Sequence, residues 1–160
     1  NVVFDSLSSA TYNSGTNTLA ASSLNTGGLN TTPISGDFEV YSTQLTHASV
    51  IALKSSTAGG YTWSGTGINV QFLICAFYYG GNLNININNN TNSTDHVIST
   101  SDAFVKLKRV GNDCQILTSP DGTTWTLGYT KTGIFTGVSN LYIQGIFAIT
   151  QSNLMSLKKL

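Results

Sequence analysis

Chemistry on this chain would have to be done with few ionisable groups. Of 160 residues, seven are Asp or Glu, seven are Lys or Arg and two are His, for a net charge of zero. Glu39 is the single Glu, and Asp37 stands two residues before it, so on a strand both would share one face. No other acid stands two residues from a second one, and this pair reads as an exposed polar face rather than as two working carboxyls. Asp95-His96 would have to be turned together to act as an acid–imidazole pair, whereas adjacent strand residues face opposite sides. His47 and His96 are the only histidines, and there is no G-x-S-x-G elbow to present a nucleophile. Catalysis is not expected. Asp95, Asp102, Asp113 and Asp121 are scattered single acids, while calcium wants six to eight oxygens, several of them carboxylate. No metal or cofactor is expected, the weak alternative being one or two calcium ligands from Asn112-Asp113. Cys75 and Cys114 are too few for zinc. Both sit in apolar stretches, which leaves two readings open, a 75–114 disulfide or two buried thiols.

Rings and amides offer more. Tyr61 and Trp63 stand in a loop rich in Gly, Ser and Thr (Ala58 to Gly67), where a ring has little core of its own to join. Tyr79 precedes Gly80-Gly81 at the mouth of a hairpin, and Asn82 and Asn84 follow it. Sugars present apolar C–H faces fringed by hydroxyls, so their sites pair an exposed ring with amide and hydroxyl partners. Tyr61, Trp63, Tyr79, Asn82 and Asn84 are therefore the candidate ligand-binding residues. The plainer reading has the rings packed on the fold and the Asn residues solvated. The row Asn82, Asn84, Asn86 and Asn88 puts four amides on one strand face, turned to a glycan, to a neighbouring subunit or to solvent. Trp125 reads as core. Sequons occur at Asn30, Asn89 and Asn92.

Composition bounds the partners. Charged residues make 9%, against an average near 25%, so clustered Lys and Arg for phosphate contacts are missing and nucleic acid is not an expected partner. No apolar run approaches 18 residues, so no membrane insertion is expected. With 16 Asn, 19 Ser and 22 Thr the surface is wetted through amides and hydroxyls, a pattern frequent on extracellular proteins and virions. The chain opens NVVFDSLSS, without Met or a basic stretch. It reads as one domain, 1–160, forming the C-terminal part of something longer.

Strand signals are dense and helical periodicity nearly absent. Thr16 to Ser22, Asp37 to Tyr41, Ala48 to Lys54, Ile68 to Tyr79, Asn82 to Asn88, Ala103 to Arg109, Cys114 to Thr118, Thr124 to Thr130, Leu141 to Ile149 and a final run from Leu154 are the expected strands. Ile68 to Tyr79 is apolar on both parities, as in a strand covered on both faces. Asn88 to Thr94 is an exposed, Asn-rich loop tip. Gly111-Asn112 joins two strands by a tight turn. Ser119-Pro120-Asp121-Gly122 makes a second turn, with Gly122 in the left-handed conformation.

The pattern "strand, R-x-G-N, strand, S-x-D-G-x-x-W, strand" is met as Arg109-Val-Gly111-Asn112 and Ser119-Pro-Asp121-Gly122-Thr-Thr-Trp125. It resembles the concanavalin A-like lectin/glucanase superfamily, laminin-G-like modules included. Ile34-Ser-Gly36-Asp37-Phe38-Glu39-Val40 is similar to the strand that opens many such domains, and Leu141-Tyr-Ile-Gln-Gly145-Ile-Phe-Ala148 to their late strand. The resemblance implies an all-β, two-sheet antiparallel jelly-roll sandwich. It does not bring the family's E-x-D-x-E glucanase strand, which this chain lacks. Ser119 to Gly122 also resembles the sialidase Asp box, but occurs once and lacks a residue between Asp and Gly.

The function these readings imply is a non-enzymatic recognition module, a carbohydrate-binding attachment domain of a virion fibre or extracellular protein, displayed on the virion or outside the cell. Its partner would be a cell-surface glycan or receptor, and the domain itself a homotrimer if it heads a fibre. The alternatives are a structural surface-assembly subunit making only protein contacts and, less in keeping with the unpaired acids, a glycan hydrolase or lyase.

Overall fold

The computed structural model describes residues 4–21, 25–42, 50–63, 67–91, 93–147 and 151–160. His47, the Asn92 sequon, residues 48–49 and residues 148–149 lie outside them. Fifteen strands and no helix occur among the described residues: β1 (Ser6–Ser8), β2 (Ala10–Asn13), β3 (Thr18–Ala21), β4 (Thr26–Leu29), β5 (Ile34–Ser35), β6 (Phe38–Ser42), β7 (Val50–Lys54), β8 (Ile74–Tyr79), β9 (Asn82–Ile87), β10 (His96–Ile98), β11 (Phe104–Val110), β12 (Asp113–Ser119), β13 (Thr126–Lys131), β14 (Asn140–Phe147) and β15 (Gln151–Lys159). Every pairing is antiparallel. The first sheet runs β1-β4-β14-β7-β8-β9-β10 with β5 also on β14, and the second β13-β12-β11-β6-β15-β3-β2.

Alternation explains how the sheets face each other. Ile51, Leu53, Ile74, Ala76, Leu83, Ile85 and Ile143 of the first sheet share one cluster with Phe38, Val40, Val105, Leu107 and Ile116 of the second, all fully buried. Side chains one residue out of step point the other way. On the first sheet these form a second, smaller cluster: Val50, Ala52, Cys75 and Ile146, covered by Val70 and Phe72, with Tyr61, Trp63 and Phe77 packed against it. A strap between β7 and β8, residues 55–63 and 67–73, thus lies over the outer cluster of this sheet.

The outer face of the first sheet corrects two expectations. Ile68 to Tyr79 is not one strand: only Ile74–Tyr79 pairs, and the preceding segment is apolar because Val70 and Phe72 cap the outer cluster. Nor is the middle of the Asn row solvent-facing, since Asn84 is 6% and Asn86 2% exposed, while Asn82 is half-buried and Asn88 exposed. Asn84 and Asn86 lie on the outer-cluster face, paired across to Phe77 and Cys75. The cysteines are free thiols, both buried and on different sheets, and burial pushes both thiol pKa values up.

The turn motifs behave as their residues require. Gly111 (φ 60) and Gly122 (φ 75) are left-handed. Ser119 Oγ accepts from Gly122 N at 2.9 Å, and Asp121 Oδ1 accepts from Thr123 N and Thr124 N at 2.8 Å each. These amide bonds hold the Asp121 carboxyl well below the usual range. Arg109 donates to Gly111 O, Ser139 O and Val138 O, tying the Gly111-Asn112 turn to the loop after β13. Asp37 Oδ1 accepts from Gly111 N at 2.8 Å, so two separated motifs meet at one backbone amide. Trp125 is half-buried rather than core: it packs on Tyr41 (5.6 Å between centroids) and under Lys106 Nζ (4.1 Å) on the second sheet's outer face.

Candidate functional site

Glu39 pairs with Lys106 at 3.3 Å, and Asp37 is spent on the turn amide, so the two strand acids serve the fold. Asp95 accepts from Ile87 N (2.8 Å) and Asn90 Nδ2 (3.2 Å), while His96 stacks on Tyr129 with centroids 4.0 Å apart. Neither arrangement supplies an activated nucleophile or an acid–base pair. Among the described residues no three of His, Cys, Asp and Glu converge as metal ligands would.

The candidate aromatic residues divide into two groups. Tyr61 and Trp63 belong to the strap and are half-buried. Tyr61 donates its hydroxyl to Ser6 O at 3.0 Å, and burial raises its pKa. Trp63 sits 5.8 Å from Phe72 and 5.1 Å from Phe77, edge-on to the latter, and its amide donates to Asn25 Oδ1 at 2.9 Å. The Gly-rich loop does have a core to join. It is the outer face of the sheet beneath it. Gly60 O accepts from Gln144 Nε2 at 3.1 Å, and Gln144 Oε1 accepts from Lys54 Nζ at 2.7 Å. Lys54 is 1% exposed and unpaired with any carboxylate among the described residues; burial pushes its pKa down to about 8.

Tyr79 is the opposite case. Gly80 and Gly81 are both left-handed (φ 62 and 79) and turn β8 into β9 in two residues. This leaves Tyr79 at the rim, 62% exposed. It lines a pocket of about 360 Å3 with Tyr78, Gly81 and residues 100–103. Tyr78 faces inward and donates its hydroxyl to Asp102 O, which anchors the 100–103 segment to the hairpin; burial raises the Tyr78 pKa to about 12. Asp102 N donates to Thr100 Oγ1 at 3.1 Å. The pocket is therefore lined by the exposed Tyr79, by Asp102, and by the hydroxyl-bearing Thr100 and Ser101.

Asn82 stands beside this pocket with its Nδ2 on Gly80 O at 3.4 Å. Asn84 is buried, and its amide donates to Tyr79 O (3.1 Å) and Asn82 O (3.0 Å) while its Oδ1 accepts from Thr94. Asn84 braces the hairpin backbone, and both donors of its amide are taken. The structure thus gathers Tyr79, Asn82 and Asn84 at one hairpin and places Tyr61 and Trp63 in the strap, against the first sheet. Thr100, Ser101 and Asp102 were not singled out as site residues from the sequence. The signal was there only as a polar Ser-Thr-Ser-Asp run between two strands, which any surface loop shows.

Two antiparallel sheets with the motif-bearing hairpins in the second define a concanavalin A-like jelly roll, and solved structures agree. The TRIM65 PSpry domain superposes with a TM-score of 0.69 at 8% identity, covering 98% of this chain and 89% of that one. The exoplasmic/lumenal domain of VIP36, in a form bound to calcium and Man3GlcNAc, gives 0.61 at 14% identity, covering 97% and 85%. A mutant Trypanosoma rangeli sialidase displaying trans-sialidase activity gives 0.54 at 14% identity, and there the match takes in 96% of this chain but 27% of the larger enzyme. No family model and no curated protein matches the sequence. At such identities the likeness establishes the fold and leaves function to the site.

Proposed function

We propose that this domain is a non-enzymatic recognition module that binds a cell-surface glycan at the Tyr79 pocket, as the attachment domain of an extracellular or virion-surface protein. The observation that carries the reading is the 62% exposed Tyr79 ring beside Asp102, Ser101 and Thr100 in one pocket. Its volume falls in the range of roughly 300–1,000 Å3 typical of small-ligand sites. A sugar face laid on the ring removes apolar surface from water, and Asp102 accepts from paired hydroxyls of the same residue. The mannose-based ligand of VIP36 makes a glycan a ligand class already met on this fold. The acids of this chain that stand in pairs are used up in ion pairs and turns, which supports binding without turnover.

A glycan array on the intact domain tests the reading, with Asp102→Asn printed alongside. The expected result is a defined set of bound glycans that Asp102→Asn weakens about tenfold, near 1.4 kcal/mol. An array blank at all glycans, or binding indifferent to both Asp102 and Tyr79, overturns it.

A further inference from the structure

The opposite end of the β8–β9 hairpin carries a second concavity. Two adjoining hollows of about 120 and 330 Å3 meet there and share Gln71 and Asn89. We propose that this groove is a second saccharide subsite, which makes the single domain bivalent for glycans. The inference rests on the reading above for ligand class, but on separate residues.

The walls carry the argument. Apart from the buried Lys54 at one end, the polar lining is neutral amide and hydroxyl, with no carboxylate. The side-chain oxygens of Asn69 and Asn89 are each engaged by a backbone amide, Thr62 N at 2.9 Å and Phe72 N at 2.6 Å. That fixes both carboxamides and leaves each Nδ2 as a donor with no partner among the described residues. Ile68, 39% exposed, adds an apolar surface beside them. Held amide donors next to an apolar patch complement the acceptor oxygens and C–H face of a sugar residue, and an acetamido carbonyl suits them equally well.

The turn supplies an independent comparison. Gly80-Gly81 reverses the chain with two left-handed glycines, whereas at the other end Asn88 (φ 51) and Asn89 (φ 60) take the same left-handed conformation, closed by Asn90 N on Ile87 O. Gly meets that backbone demand without strain. Asn meets it at a cost, and here its side chain lines the groove. The six residues of β8 separate this groove from the Tyr79 pocket by about 20 Å at the usual strand rise. Two such sites on one rigid sheet can hold two glycan branches.

The test is a titration of the isotope-labelled full chain with mannobiose, lactose and chitobiose, following the Asn69 and Asn89 side-chain amide signals by NMR. Gln71→Ala, an exposed position, removes one groove wall without touching the core, and Tyr79→Ala removes the other site. The inference predicts that one of these sugars shifts the Asn69 and Asn89 amides, that Tyr79→Ala leaves the midpoint of those shifts unchanged, and that Gln71→Ala moves it at least threefold. Shifts at the groove but none at Tyr79 uphold the groove and reject the pocket proposed above. Amides unmoved by all three sugars overturn the second site, as do groove shifts that vanish with Tyr79→Ala.

Discussion

Two glycine-rich, aromatic segments flank β8, and the structure uses them in opposite ways. The strap before it, with Gly59, Gly60, Tyr61 and Trp63, lies against Phe72, Phe77 and the outer face of the first sheet. The hairpin after it, with Tyr79, Gly80 and Gly81, is exposed. Glycine content is therefore no guide to exposure. What decides is the surface beneath: Val50, Ala52, Cys75 and Ile146 give the strap an apolar bed, while the hairpin overhangs the sheet's end. On the function proposed above, Trp63 serves stability and Tyr79 recognition.

The largest expected effect is on the strap side. Trp63→Ala removes a half-buried ring packed against two others; a fully buried ring costs about 3–5 kcal/mol, and the loss here is set near the low end of that range. Thermal melts should show the loss, with the glycan affinity of the folded fraction unchanged. Next is Gly60→Val. A Cβ at Gly60 runs into the Asn69 carboxamide, and Gly60 O is already held by Gln144. The strap is not free to adapt there, so a drop in melting temperature larger than that of Gly80→Ala is predicted. At Gly80 nothing lies within 4 Å, and only its left-handed φ is strained by a side chain, by roughly 1–2 kcal/mol.

A smaller, pH-dependent effect tests the Lys54–Gln144–Gly60 brace. The folded-state pKa of Lys54 lies near 8, against an ordinary value of 10.5. Between those pH values the unfolded chain binds more protons than the folded one, so this group's contribution to stability rises with pH across the window. Stability of Lys54→Met relative to the native chain should be greatest below pH 8 and fall toward pH 10.5. Denaturant melts at pH 7, 8.5 and 10 measure it, and a difference flat in pH would remove the buried cation from the account. The smallest effect is expected from EDTA, which should leave the melting temperature in place, because the acids are scattered.

Much of the fold was legible because its motifs are structural. Asp37 stands far in sequence from Arg109 and Gly111 yet closes one junction with them, so a pattern of turn residues reported the sheet that contains it. The candidate site was legible in part. Tyr79 and Asn82 were readable from an exposed-looking hairpin, but alternation on β9 says only that its two faces differ, not which one is covered. Asn84 and Asn86, which by sequence could face a glycan, a subunit or solvent, are buried. Asp102 could not be placed because its link to the hairpin is a single contact from Tyr78 to a backbone carbonyl, across a sequence gap of 24 residues.

The division between the two aromatic segments is tested most directly by one pair of curves on Tyr79→Ala: a thermal melt and a binding isotherm against the strongest ligand from the array. The account predicts a melting temperature within a degree or two of the native chain, since truncation of an exposed side chain changes stability by at most about 0.5 kcal/mol. It also predicts affinity lowered tenfold or more. Unaltered affinity, or a melt that collapses while the folded fraction binds as before, would contradict it.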